Sequence, residues 1–428
     1  GLKYSSKATM ARSEVERAAS PFYVEPAGGR LYIPTDYFGT VSKGEICLDK
    51  ERVCDIIEFK GIDSAVFRNR RQSEIANPIR RSMIMTDGTP TRDDARILKE
   101  LEELVRETFL LWDEKRVGFS WRHYYFNHTQ RVRMLSLSIG KNEGADLRKL
   151  EYAALLHDIT KRYDGGFLTD KDGKRIVDED GFWRNEMLPP NPNKSNIVTQ
   201  LYEEYDQAYK LHNVSGAFIA GKILGRYGFP EDFCDGVSST ILAHLKPGES
   251  NVEKMREFNS NLEGRILYET DTIDSNLGLV AFFRNIGIHT YSMVKRTGRA
   301  DLKEYIEGIP RWLDMKEDFL PRMQTDTGRK IGEARQKRNW DIWSQMAQEK
   351  EDFELNETYG ILGIVKYFMS CCEDPNLQEQ MACVGNEWIP ERKRMLASEN
   401  SRREAAERSL NSAINFHSLL AKEIRGEI

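Results

Sequence analysis

Glu151–Tyr163 reads EYAALLHDITKRY, an apolar run that ends on His157 and Asp158 with Thr160 and Lys161 close behind. Ala153, Ala154, Leu155 and Leu156 give the stretch the look of a buried helix. Such a helix has little use for an imidazole, a carboxylate and an ammonium at its end unless something partners them. One polar residue there would be a hydrogen-bonded core group. Three together point to a metal ion or an anion, provided that the rest of the chain supplies further ligands.

The chain has only seven histidines in 428 residues, so each can be placed. His128 stands in YYFNHTQRVRML, with Arg131 one helical turn on. His212 opens HNVSGAFIAGKIL, whose Ser215, Gly216 and Ala220 permit close helix packing. His244 closes SSTILAHL, and ILYETDTIDSNLG carries Asp271 and Asp274 within one turn. Taken singly, each has a plain structural reading. A helical histidine is more often a satisfied core or surface residue, a His-Asp dipeptide arises by chance, and two aspartates a turn apart cap a helix or pair with Arg265. The ordered set of His, His-Asp, His, His and Asp changes the balance. Unpaired charges in such apolar contexts are costly, and a shared metal centre would satisfy them together.

The stretches HTQRV, LLHDITK, HNVSGAFIAGKIL, ILAHL and YETDTIDSNLG, spread over roughly residues 120–290, resemble the HD-domain superfamily of metal-dependent phosphohydrolases. LLHDITK is close to that family's His-Asp-Ile-Gly-Lys stretch, with Thr160 where a Gly is common. The resemblance implies that His128, His157, Asp158 and Asp271 form the core ligand set. It implies that His212 and His244 are the additional ligands of two-metal members, with Asp158 bridging. Asp271 is preferred to Asp274 because the first Asp of TDTID matches the family's ligand, which leaves Asp274 a supporting or structural role. The implied activity is cleavage of a phosphomonoester or phosphodiester, in a nucleotide or small phosphorylated metabolite, by a metal-bridged hydroxide. Imidazole and carboxylate ligation suits transition metals, Fe or Mn first and Co, Ni or Zn after them.

Charge supports phosphate chemistry. Four neutral imidazoles and two carboxylates carry −2, so two divalent cations would leave about +2 for a hydroxide and an anionic substrate. Asp158 and Lys161 are the expected catalytic residues, and Lys161 falls one turn after His157 on the same face. Lys161, Arg131, Lys246 and Arg284 are candidates for the substrate anion, although Arg131 fits a buried ion pair equally well. His123, His289 and His417 lack a motif and read as structural or exposed. The runner-up function is a di-iron oxygenase resembling myo-inositol oxygenase, which would use the same ligands to cleave a C–C or C–P bond of a small polar substrate. A non-catalytic HD scaffold ranks last, because every motif position keeps a candidate ligand.

The expected fold is mainly α: an HD-domain helical core over 93–300, a small mixed α/β extension over 1–92 and a C-terminal helical region over 301–428. Leu98, Leu101, Val105 and Phe109 make an apolar stripe at helical spacing, and further helices are expected at about 128–140, 146–162, 196–210, 212–227, 232–245 and 261–284. Between them, 162–195 is a polar insertion whose Asp172-Gly173 turn predicts a hairpin, placed to act as a lid or specificity element or else to be a passive surface insertion. Near the end, Ala406, Leu410, Ala413, His417, Leu420 and Ile424 line one face of an amphipathic helix.

A net charge of −5 gives no nucleic-acid footprint. No stretch reaches the roughly 18 apolar residues of a membrane helix. Six cysteines without a CxxC pair, and no signal-peptide pattern, lead us to expect reduced thiols in a cytoplasmic protein. Cys371, Cys372 and Cys383 read as free helical cysteines. The expected partner is a small anionic substrate, with neither membrane nor nucleic acid, and a homo-oligomer is left open.

Overall fold

A computed structural model describes residues 92–117, 120–178, 182–245, 257–399 and 401–428. The α/β extension expected before this span lies outside the described residues, as do Cys47, Cys54 and Lys246. Helix α1 (Arg92–Phe109) opens with Asp93 and Asp94 in its first turn, where carboxylates suit the helix dipole. It buries the stripe Leu98, Leu101, Val105 and Phe109. Asp94 is itself buried and accepts from the Tyr152 hydroxyl at 2.9 Å and from Arg148 Nη2 at 2.9 Å, which ties α1 to the helix ending at the His-Asp pair.

A short antiparallel pair, β1 (Arg116–Val117) and β2 (Ser120–Trp121), leads into α2 (Arg122–Glu143). This helix stops at Gly144, whose φ of 73° lets its N–H return to the Gly140 carbonyl, a left-handed turn that glycine enters without strain. Asp146 then accepts from Lys149 N and starts α3 (Leu147–Leu156). The sequence predicts one helix through 162, but the chain leaves the helix after Leu156. His157 Nδ1 takes the Ala154 carbonyl at 2.8 Å, in competition with the next backbone N–H of the helix. A 3-10 turn, Lys161–Tyr163, follows.

The insertion is a hairpin, as expected. Strand β3 (Asp164–Phe167) pairs with β4 (Asn185–Met187), bridges join Thr169 to Arg175 and Val177 to Trp183, and Gly173 takes a φ of 77°. After it come α4 (Ile197–Glu204), α5 (His212–Arg226), α6 (Glu231–Leu242), α7 (Leu262–Asn276) and α8 (Leu279–Thr297). The single helix expected at 261–284 is thus two. Leu277 is extended and Gly278 has a φ of 93°. A Cβ at 278 would collide with the Glu423 carboxylate, which accepts from Val280 N at 2.9 Å at the start of α8.

Helices α2, α3, α5, α6 and α7 pack on one another and enclose Val132, Leu155, Ile219, Ile241 and Ile273, all with no more than 1% of their surface exposed. The C-terminal region contributes α9 (Leu302–Glu317), α10 (Asp326–Glu349), α11 (Phe353–Tyr359), α12 (Ile361–Ser370), α13 (Leu377–Cys383), α14 (Ile389–Ser398) and α15 (Arg403–Ile424). Helix α10 lies against α7 and α2, and α15 against α8, α12 and α14. Ala406, Leu410, Ala413 and Leu420 of α15 are buried as the stripe predicts, together with Phe416 and Glu423 outside it. The fold is mainly α. Among the described residues, no helix is long and apolar enough to cross a membrane, and Cys234, Cys371, Cys372 and Cys383 are free thiols.

Candidate metal centre

The five helices of the bundle deliver the predicted side chains to one place. His128 comes from the middle of α2, His157 and Asp158 from just past the end of α3, His212 from the first turn of α5, His244 from just past α6, and Asp271 from α7. All four imidazoles and Asp158 are almost wholly buried.

Every imidazole is held the same way round. His128 Nδ1 meets Asp274 Oδ2 at 2.7 Å, and His212 Nδ1 meets Asp164 Oδ2 at 2.5 Å. His157 Nδ1 donates to the Ala154 carbonyl at 2.8 Å and His244 Nδ1 to the Ile241 carbonyl at 2.6 Å. In these last two, a helix's leftover C-terminal carbonyl fixes the ring. With Nδ1 carrying the proton, each Nε2 offers a lone pair, the arrangement that orients metal-bound histidines.

The four Nε2 atoms face Asp158. They stand 3.6 Å (His157) and 3.8 Å (His128) from its Oδ2, and 3.2 Å (His212) and 3.8 Å (His244) from its Oδ1. His212 and His244 approach Nε2 to Nε2 at 3.1 Å, and His128 Nε2 is 3.1 Å from Asp271 Oδ1. Two groups result, His128–His157–Asp158 and Asp158–His212–His244, each with its ligand atoms within 4.8 Å of one another. Asp158 belongs to both, and Asp271 adjoins the first. Atoms bound at about 2.1 Å to one ion stand roughly 3.0–3.4 Å apart, so the spacing suits ligation.

The donor set fits divalent cations. His157 Nε2 is buried without a hydrogen-bond partner, and the contacts of His128 Nε2 with Asp271 and of His244 Nε2 with His212 need a proton or a cation between them. Among the described residues an ammonium stands at the edge, that of Lys161, whose Nζ is 3.0 Å from His212 Nε2. The acids at His128 favour positive charge at its outer nitrogen, as a proton or as a cation. Burial works against charge on His128, but Asp271 and Asp274 outweigh it and hold the imidazole up at about 10. Burial raises the Asp158 carboxyl, yet His157, Lys161, His212 and His128 together keep it well below the usual carboxylate range. At His244, burial and then the neighbouring His157 push the imidazole down to about 4.

Other sequence candidates have different surroundings. Arg131 is buried and gives Nε and Nη2 to Asp274 at 2.8 and 2.9 Å, so its guanidinium supports the carboxylate that orients His128 rather than facing a substrate. Arg284 is partly buried, and its Nη1 donates to the Ser275 carbonyl at 3.3 Å. His123 is near Asp374 at the surface, and His417 Nε2 lies 3.0 Å from the Met381 carbonyl. Asp164 escaped the sequence reading. Its only signal was an acid six residues after Asp158 at the base of the insertion, and its partnership with His212 spans 48 residues.

Residues 125–276 match the HD domain family model, and this part of the chain is an HD domain. HD domains bind divalent metals, and the His and Asp groups above could bind them here. No curated protein matches the chain. Among solved structures, a "predicted HD superfamily hydrolase" from an uncultured Thermotogales bacterium is 22% identical, over 59% of this chain and 92% of its own, with a TM-score of 0.33. YpgQ of Bacillus subtilis is 18% identical over 60% of this chain, at TM-scores of 0.32 for one crystal structure and 0.31 for its complex with ADP. These cover 94% and 95% of the YpgQ chain. Likenesses of this size carry no statement about the chemistry of this chain.

Proposed function

We propose that the protein is a divalent-metal-dependent phosphohydrolase that cleaves a phosphomonoester or phosphodiester of a nucleotide or small phosphorylated metabolite. The observation that carries this is the inward set of four Nε2 atoms around Asp158, one of them orphaned, in an HD domain. His128, His157, Asp158 and Asp271 would hold one cation, and Asp158, His212 and His244 a second.

Cations in such a site supply Lewis-acid charge to phosphoryl oxygens and make a water acidic enough to attack near neutral pH. The chain's own residues do the rest. Asp274 and Asp164 fix the His128 and His212 rings, so the ligand lone pairs need no reorientation during the reaction. Lys161 sits at the rim of the cluster, where its ammonium would bind a non-bridging oxygen and steady the leaving oxygen. The surrounding apolar helices keep bulk water away, which strengthens each of these interactions.

Two measurements test the reading. Metal analysis of the purified chain should find up to two transition-metal ions, and aryl phosphates should release phosphate with added Mn or Co. Two irons per chain, oxygen uptake and no phosphate release from any ester would overturn it in favour of the di-iron oxygenase.

A further inference from the structure

One group of side chains near the centre has no role in holding a metal. Three cations are fastened around the stretch of α7 that carries Asp271. Tyr268, one turn before Asp271, lies beside Arg322 of the turn after α9, whose Nε donates to the Asp318 carbonyl at 3.1 Å. Ser275, one turn after it, donates its hydroxyl to Asp271 Oδ1 at 3.3 Å, and its carbonyl accepts from Arg284 Nη1 at 3.3 Å. Asn276 Oδ1 accepts from Lys316 Nζ at 2.6 Å. Lys316 Nζ and the Arg322 guanidinium lie 4.8 and 4.6 Å from the centroid of one ring, that of Phe319, so these two cations share an aromatic wall.

Among the described residues, none of the three cations has a carboxylate within ion-pair distance. Arg284 Nε is buried without a hydrogen-bond partner. The acid nearest Arg284, Asp271, is turned to His128, and Asp318 meets Arg322 through its backbone carbonyl, at 3.1 Å, and not through an ion pair. Crowding by burial, and then by Arg284 and Arg322, lowers the Lys316 ammonium to about 7. A structural explanation exists in part, since cations favour a helix C-terminus, but that end offers only about half a negative charge. Three neighbouring cations exceed it.

We propose that Arg284, Lys316 and Arg322 form a subsite for a second phosphoryl group, so that the substrate is a di- or triphosphate-type anion with its scissile phosphate at Asp158. Asn276 lies five positions after Asp271 on α7, about 7.5 Å along the helix, a span that a short polyphosphate chain bridges. All three cations lie outside the matched HD domain, and two of them in the C-terminal helical region. That region then supplies substrate recognition to a centre built by the bundle. The ligand's identity rests on the phosphohydrolase reading, but the subsite's excess charge does not.

The test is calorimetric titration of the full metal-loaded chain with inorganic phosphate and with tripolyphosphate, repeated in Lys316→Met, Arg322→Gln, the double variant and Lys316→Arg. Wild type should bind tripolyphosphate at least about tenfold more tightly than phosphate, the double variant should lose that advantage, and Lys316→Arg should keep it. The same titration of Asp158→Ala separates this subsite from the metals. Tripolyphosphate binding that persists there and depends on Lys316 and Arg322 supports the subsite, even if wild type proves to hold no metal. Equal affinities for the two anions in wild type, an advantage that survives the double variant, or binding lost with Asp158 would each overturn the proposal.

Discussion

Around Asp158, four imidazoles turn acceptor nitrogens toward a carboxylate, whereas the buried glutamates packed into the C-terminal half each meet donors. Glu269 accepts from Gln324 N at 2.8 Å, Thr325 N at 3.0 Å and Thr325 Oγ1 at 2.5 Å, just before α10. Glu349 accepts from Ile361 N and Leu362 N, both at 3.0 Å, at the start of α12. Glu423 takes Val280 N at 2.9 Å at the start of α8 and Arg338 Nη1 at 2.7 Å. A glycine stands beside each carboxylate, Gly328, Gly360 and Gly278 respectively, where a Cβ would collide with it. These glutamates complete the orphan N–H groups of helix starts, and each is satisfied within the chain. The imidazole cluster is not. The buried glutamates meet donors of their own chain, whereas the imidazole cluster carries the donor set of a cation site.

Replacing Asp158 by Ala should break the contrast most completely. It removes the one group common to both candidate ligand clusters, so metal content and phosphate release should both fall to background while the helical circular dichroism spectrum is retained. Full activity in that variant would sink the ligand assignment.

Glu423→Ala attacks the other kind of centre. It strips the α8 start of its acceptor and leaves Arg335, which is 1% exposed and 3.8 Å from Glu423, with an unpaired buried charge. A loss of about 3–5 kcal/mol in unfolding free energy is expected, read by denaturant titration, while the folded fraction should still bind metal normally. Loss of metal with unchanged stability would contradict the division drawn here.

Asp164→Ala should have an intermediate effect confined to the metal centre. His212 keeps its place but loses the partner that fixes its ring, and metal affinity should drop about 10–100-fold with little change in stability. Competition against a chromogenic chelator measures this, and an unchanged affinity would remove Asp164 from the site.

The smallest effect is a pH dependence at Glu349. Burial, partly offset by the Leu362 and Ile361 N–H groups, raises its carboxyl to about 7 from an ordinary value of 4.5. The folded chain therefore holds this proton more tightly than the unfolded chain. The stability it contributes is complete below about 4.5 and is lost as pH rises through about 7, by an amount on the order of 3 kcal/mol. Glu349→Gln forfeits one of two N–H contacts, about 1 kcal/mol at pH 5, yet it should be no less stable than wild type at pH 8. Parallel stability curves for the two proteins across that range would show that the carboxyl is not raised.

Much of this was legible in the chain order. The stripes Leu98–Leu101–Val105–Phe109 and Ala406–Leu410–Ala413–Leu420 encode buried faces because a helix repeats every 3.6 residues. The six candidate ligands stood out because charged and imidazole side chains are rare in apolar helical runs. Less could be seen where a role depends on a distant partner. Arg131 looked as able to meet a substrate as an acid, until Asp274, 143 residues away, took both of its donors. The break at Leu277–Gly278 depends on Glu423, which no local pattern connects to it.

The amino-acid order by itself determined the helical class, the HD signature and which imidazoles and carboxylates to suspect, since periodicity and residue chemistry are local properties. Only the tertiary structure decided which nitrogen of each ring faces inward, that Asp164 and Asp274 orient His212 and His128, and that Lys316 and Arg322 come to stand beside Asn276 and Tyr268 of α7. Those relations rest on side chains far apart in the chain meeting at hydrogen-bonding distance, and it is packing of the helices that sets such distances.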